Sequence, residues 1–148
     1  MTDEGTVVFP RLGPGATTAA RLDRATGLVT PPETSWRRRP VTLDRRPYVY
    51  LRGNNVRVDL QVERFNGWRV AAIPLYAVGT WGAAVQPAEL LRTLAAEIEA
   101  RRPKNGDRIL EALDEQLGIL RRDPDRLDVG PFAREITRGV DRVLKQLG

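Results

Sequence analysis

Apolar and polar residues alternate most regularly between Tyr48 and Pro74. Val56, Val58, Leu60 and Val62 are interleaved with Arg57, Asp59, Gln61 and Glu63, the period of a strand with one face buried. Asn66-Gly67 separates this run from Arg69-Val-Ala-Ala-Ile-Pro74. Both turn residues tolerate the positive φ of a type I′ hairpin. Gly53-Asn54-Asn55 offers a second turn behind Tyr48-Val-Tyr-Leu-Arg52, so the pattern predicts a three-stranded antiparallel meander. A two-residue loop at Asn66-Gly67 sets the register: Arg64 opposite Arg69, Leu60 facing Ile73, Val62 facing Ala71 and Phe65 against Trp68. A two-residue turn upstream would bring Tyr50 and Arg57 near that pair.

Shorter runs precede the meander. Thr6-Val-Val-Phe9, closed by Pro10, reads as an edge strand, and Gly13-Pro14-Gly15 breaks it. Thr17 to Leu22 leads into Asp23-Arg-Ala-Thr-Gly27, a tight turn with Leu28-Val29-Thr30 as its return strand. Pro31-Pro32, Pro40 and Pro47 confine Trp36–Arg39 and Val41–Leu43 to edge or irregular strand. Leu75 to Gln86, with Gly79 and Gly82, is expected to be a loop crossing to a helical part.

The period then changes to that of helices. Pro87 suits a first turn, and Leu90, Leu91, Leu94, Ala95 and Ile98 form one stripe ending at Arg101-Arg102-Pro103. A second helix, about 107–122, carries Leu110, Leu113, Leu117 and Leu120, too few heptads for a coiled coil. A third, from Pro131, lines up Phe132, Ile136, Val140, Val143, Leu144 and Leu147. Strands followed by helices give an α+β protein: an antiparallel sheet or small barrel of about seven strands, then three amphipathic helices. The expected division is a β domain closed by a helix over residues 1–102 and a C-terminal helical hairpin over 103–148.

Composition narrows the chemistry. Cysteine and histidine are absent and Ser35 is the single serine, which removes thiolate and imidazole metal sites and the usual hydrolytic triads. No metal, cofactor or catalytic role is expected. Asp123, Asp125 and Asp128 lack the spacing of a calcium loop, and no Gly-rich phosphate loop is present. The acidic start at Met1–Gly5 does not read as a signal peptide, and no window nears the roughly 18 apolar residues of a membrane span. A cytoplasmic location is expected. Arginine supplies 22 of the 24 basic residues; with abundant alanine this reads as the codon bias of a GC-rich genome. Its distribution says more, because residues 36–69 hold nine arginines and three acids while residues 71–148 are balanced at twelve of each.

The Leu22–Val29 hairpin, the Trp36-Arg37-Arg38 strand, the long hairpin from Val56 through Pro74 and the helix opening at Pro87-Ala-Glu-Leu-Leu91 together resemble bacterial pleckstrin-homology-like domains over about residues 6–102. The resemblance implies a scaffold that binds proteins, peptides or lipid headgroups without catalysis. The proline-rich interruption at 31–47 and the helices beyond 106 depart from it.

The candidate contact residues are Arg37, Arg38, Arg39, Arg45, Arg46, Arg57, Arg64 and Arg69, with Tyr50, Phe65 and Trp68. The runs at 37–39 and 45–46 read either as a grip for phosphates or as a solvated basic loop. Opposed Arg64 and Arg69 suit an anion or a partner carboxylate between them, or else splay into water. Phe65 and Trp68 suit stacking or protein contact if exposed; we expect Trp68 in the core, since three helices need a face to cover. The expected function is a non-catalytic binding or assembly module, with a protein partner or self-association. Nucleic acid held by the arginine-rich 36–69 region is the alternative.

Overall fold

The computed structural model describes residues 5–14 and 18–147, with the backbone alone for Val143. The expected chain start at Met1–Glu4, the break at Gly15, the strand entry at Thr17 and the packing of the Val143 side chain lie outside the described part. Two four-stranded antiparallel sheets and three helices make up the chain, so the α+β class expected from the sequence holds. The first sheet runs β1 (Thr6–Pro10), β2 (Ala19–Asp23), β3 (Leu28–Thr30), β4 (Val41–Thr42), in that spatial order. The second runs β5 (Tyr48–Gly53), β6 (Arg57–Arg64), β7 (Arg69–Gly79), β8 (Gly82–Val85), again in order. Helices α1 (Ala88–Arg101), α2 (Gly106–Arg122) and α3 (Pro131–Leu147) follow.

The expected loop from Leu75 to Gln86 is instead strand. β7 continues to Gly79, turns through Thr80-Trp81 and returns as β8, with Gly79 opposite Gly82 and Tyr76 opposite Val85. Leu75, Tyr76 and Ala77 are all buried, and a strand covered on both faces shows no alternation to read. Pro74 fits inside β7 because the register shifts there: Asp59 faces Pro74, Val58 faces Tyr76, and Leu75 bulges out between them. Val56, by contrast, falls before β6 and is exposed; Asn54 Oδ1 accepts from the backbone N–H of Val56 (2.8 Å) and Arg57 (2.9 Å) to shape that loop. Gly53 therefore pairs with Val58, and Tyr50 faces Gln61 instead of lying beside Arg57.

One buried apolar cluster joins both sheets and all three helices: Leu22 and Leu43 from the first half, Leu60 and Ile73 from β6–β7, Leu94 from α1, Leu113 from α2 and Phe132 from α3. In α1 the inward face is Leu91, Leu94 and Ile98, with Leu90 and Ala95 half-buried. In α2 it is Ile109, Leu113, Gln116 and Leu120; the expected Leu110 and Leu117 sit half-buried beside it. Gln86 is fully buried, and its Nε2 donates to the carbonyls of Pro10 (2.7 Å) and Pro74 (2.9 Å), tying the end of β1 to the bulge.

An ionic knot pins α1 to the first sheet. Glu97 accepts from Arg24 Nε (3.0 Å) and Arg101 Nε (2.9 Å), and Arg101 also donates to Asp44 (2.5 Å) and to the Arg24 carbonyl. Burial alone pushes the Glu97 carboxyl up, but the hydrogen bonds and charges of Arg101 and Arg24 outweigh it and hold the group below its ordinary range.

α3 crosses β5 at two glycines. A Cβ on Gly139 would stand 2.6 Å from Asn54 Cα and 2.7 Å from the Gly53 carbonyl oxygen, while one on Gly53 would overlap the Glu135 carbonyl. Arg142 donates to the Gly53 carbonyl at the same crossing. Beyond it the helix leaves the core: Phe132 is fully buried, Ile136 half-buried, and Leu144 and Leu147 exposed.

Candidate binding surface at the β6–β7 hairpin tip

β6 and β7 meet in the register read from the sequence, with Arg64 opposite Arg69, Leu60 opposite Ile73 and Val62 opposite Ala71. Asn66 (φ 53°) and Gly67 (φ 90°) adopt the positive φ values that a type I′ turn requires, and the Trp68 N–H closes the turn on the Phe65 carbonyl at 3.2 Å. Phe65 itself takes φ 56°, a strained value for an aromatic residue.

The segment before β4 completes the tip. Arg38 forms a parallel bridge with Val70: the Val70 N–H donates to the Arg37 carbonyl (3.0 Å), and the Arg39 N–H donates to the Val70 carbonyl (3.3 Å). Arg37 then reaches over the turn and donates from Nε (3.1 Å) and Nη2 (2.7 Å) to the Gly67 carbonyl. This clamp places Trp36 against Trp68, edge to face at 5.6 Å between centroids.

Trp36 (66%), Phe65 (60%) and Trp68 (63%) are each nearly two-thirds exposed. Trp68 is therefore not in the core as expected. The helices cover β5 and the core instead, and the hairpin extends past them into solvent. The Arg64 guanidinium lies 4.6 Å from the Phe65 ring centre, a cation–π contact. Trp36, Arg37, Asn66, Gly67 and Trp68 enclose a shallow cleft of about 180 Å³. Three guanidiniums, Arg37, Arg64 and Arg69, share the tip with one carboxylate, Glu63, which lies next to Gly67. The surface is thus aromatic at its centre and positive at its edge.

Not every expected residue is here. Arg37, Arg64, Phe65, Trp68 and Arg69 come together, and Trp36, whose place beside the basic run was its only signal, joins them. Arg39 is exposed and contributes its backbone. Arg38 and Arg57 line a separate cavity with Asp59. Tyr50 donates to Gln61 Oε1 (3.0 Å) and stacks on Tyr48 at 5.6 Å; burial, then the Glu63 carboxylate, push its hydroxyl up. Arg45 ends a 3₁₀ turn and Arg46 follows it, left-handed at φ 49°. Arg46 borders a groove with Arg102, Lys104 and Arg108. The two basic runs, read together in the sequence, thus do not form one patch.

Among the described residues no three His, Cys, Asp or Glu side chains are grouped to hold a metal, and no helix is long and apolar enough to cross a membrane. Comparison with protein-family models, with curated proteins and with solved structures finds no match.

Proposed function

We propose that the chain is a non-catalytic binding module that docks on a protein partner through the β6–β7 hairpin tip, with acidic groups of the partner meeting Arg37, Arg64 and Arg69. The observation that carries the reading is the exposure of three large aromatic rings at the hairpin tip, Phe65 and Trp68 on the turn and Trp36 on the segment clamped against it. At about 150–250 Å² per ring, they leave on the order of 300–450 Å² of aromatic surface in water. A patch of that size on a monomer is often an interaction site. Tryptophan and arginine are also the residues enriched where a few contacts dominate an interface. The resemblance of residues 6–102 to pleckstrin-homology-like domains, scaffolds that bind without catalysis, supports the same reading.

The cleft between Trp36 and Trp68 favours a second reading, single-stranded nucleic acid. Its volume and aromatic walls suit a stacked base, with Arg37 toward the backbone.

The deciding comparison uses wild type and the Trp36→Ala/Trp68→Ala double variant. In quantitative affinity capture from the source cytosol, the protein reading expects a partner held by wild type and lost from the variant; identical recoveries defeat it. Anisotropy of labelled mixed-sequence DNA and RNA at about 50 and 200 mM salt covers the alternative. Binding that weakens steeply with salt and needs both tryptophans would transfer the assignment to nucleic acid.

A further inference from the structure

Asp59 sits on β6 with its side chain on the strand face opposite Val58 and Leu60, among Ala72 and Pro74 of β7. Segments flanking β1 and β4 come over that face and leave a cavity of about 410 Å³. Arg11, Glu33, Arg38, Arg57 and Asp59 supply its charges. Asp59 is 8% exposed, yet no donor among the described residues hydrogen-bonds to its carboxylate. Its ion-pair partner, Arg57 Nε, stands 3.6 Å away, beyond hydrogen-bonding reach. The Asp59 oxygens open on the cavity, where they can accept from a bound group; the sealed side-chain atom without a partner among the described residues is Gln86 Oε1.

The cations are similarly incomplete. Arg11 faces Glu33 at 3.5 Å, while the Arg38 guanidinium has no ion-pair or hydrogen-bond partner among the described residues. Three guanidiniums against two carboxylates leave one positive charge in excess along the walls of a solvent-open cavity.

We propose that this cavity binds a small organic anion, a phosphate or carboxylate that also carries a hydroxyl or ammonium donor. Arg38, supported by Arg11 and Arg57, takes the anionic group in the forked geometry that guanidinium offers. Asp59 takes the donor, which supplies the hydrogen bond its carboxylate lacks. A ligand with one feature and not the other leaves half the site unsatisfied, and that is the source of selectivity. Burial pushes the Asp59 carboxyl up against the opposing pull of Arg57, Arg11 and Arg38, consistent with a group held for a partner. The site is independent of the hairpin tip, and its ligand is a small molecule.

The test is a set of ¹H–¹⁵N correlation titrations of the full chain, carried to about 10 mM, where a millimolar site is largely filled. Glycerol 3-phosphate and phosphoethanolamine are compared with the methyl phosphate dianion and with ethanolamine, and lactate with acetate. Expected are saturating shifts at the amides of Asp59, Ala72 and Ala77, with at least one donor-bearing anion roughly tenfold tighter than its donor-free counterpart, the worth of one charge-assisted hydrogen bond. Whichever pair responds tells phosphate from carboxylate. Arg38→Ala, an exposed and unpaired position, should weaken binding roughly tenfold or more. Asp59→Ala, which removes the acceptor, should erase the preference for the donor. Equal binding of the donor-bearing and donor-free members of every pair would indicate an adventitious anion site only and overturn the proposal. So would the absence of shifts from every probe, an Arg38→Ala variant that binds normally, or an Asp59→Ala variant that keeps the preference for the donor.

Discussion

Replacing Gly139 by alanine sets two effects of known sign against each other. In the middle of a helix, Gly→Ala ordinarily stabilises by about 1 kcal/mol, because alanine loses less backbone entropy. At Gly139 the added methyl would meet Asn54 Cα at 2.6 Å and Asn54 C and the Gly53 carbonyl oxygen at 2.7 Å each. All three are backbone atoms, so no side chain can swing away. Either α3 lifts from β5 or the Gly53–Asn54 loop shifts, and with three backbone overlaps the cost falls at about 2–3 kcal/mol, the upper part of the overpacking range. Packing should win, for a net loss of about 1–2 kcal/mol. Gly118 in α2 supplies the control, since a Cβ there meets nothing within 4 Å. Gly118→Ala should therefore stabilise by about 0.5–1 kcal/mol. Urea unfolding followed by circular dichroism, with unchanged m-values, measures both. Thermal midpoints should part by about 3–12 °C, at roughly 2–4 °C per kcal/mol for a chain near this size. Should Gly139→Ala gain stability as Gly118→Ala does, α3 does not cross β5 at Gly53, and the account of its docking is wrong.

Three further outcomes are expected. Glu97→Gln should cost about 1–3 kcal/mol at neutral pH, the value of hydrogen bonds to a charged group. Because the Glu97 carboxyl is held below its ordinary range, its contribution is complete above that range and is lost as pH falls through the folded value. The difference between wild type and variant should accordingly shrink below about pH 4, and a gap independent of pH would refute the ionic knot. Along α3, Phe132→Ala should cost about 3–5 kcal/mol and Leu147→Ser less than about 0.5, read by chemical unfolding; similar losses at both positions would contradict the burial gradient. Finally, Trp36→Ala/Trp68→Ala should change stability by less than about 1 kcal/mol, since neither ring is in the core; a larger loss would return Trp68 to a structural role.

The β6–β7 hairpin was legible because its information is local. Asn66-Gly67 supplies the left-handed conformations, and alternation at Val58, Leu60 and Val62 fixes which face turns inward, so the Arg64–Arg69 pairing follows without knowledge of the rest. The Asp23–Gly27 turn is local in the same way: Ala25 N–H donates to Asp23 Oδ1 at 2.9 Å, and Gly27 takes φ 73°. β8 is hidden from the sequence because Leu75–Ala77 is buried on both faces, where periodicity vanishes, and Gly79, Gly82 and the alanines of β8 supply no alternation of their own. The loop after Gly53 was misjudged because Asn54 caps two N–H groups and lengthens the turn, moving Tyr50 opposite Gln61.

Chain order, strand and helix classes, the excess charge of residues 36–69 and the absence of histidine and cysteine were determined by the sequence alone. These depend on residue type and near neighbours. The fate of each charged or aromatic side chain was decided by the tertiary structure. Arg37, Arg38 and Arg39 are consecutive, yet one clamps the Gly67 carbonyl, one lines the Asp59 cavity and one remains in solvent. Trp68 is exposed because the helices cover β5 and not the hairpin tip. Asp59, which reads as an ordinary solvent-facing strand position, is buried because the segments flanking β1 and β4 fold over its face. Burial is a property of what arrives from distant parts of the chain, and no local pattern encodes it.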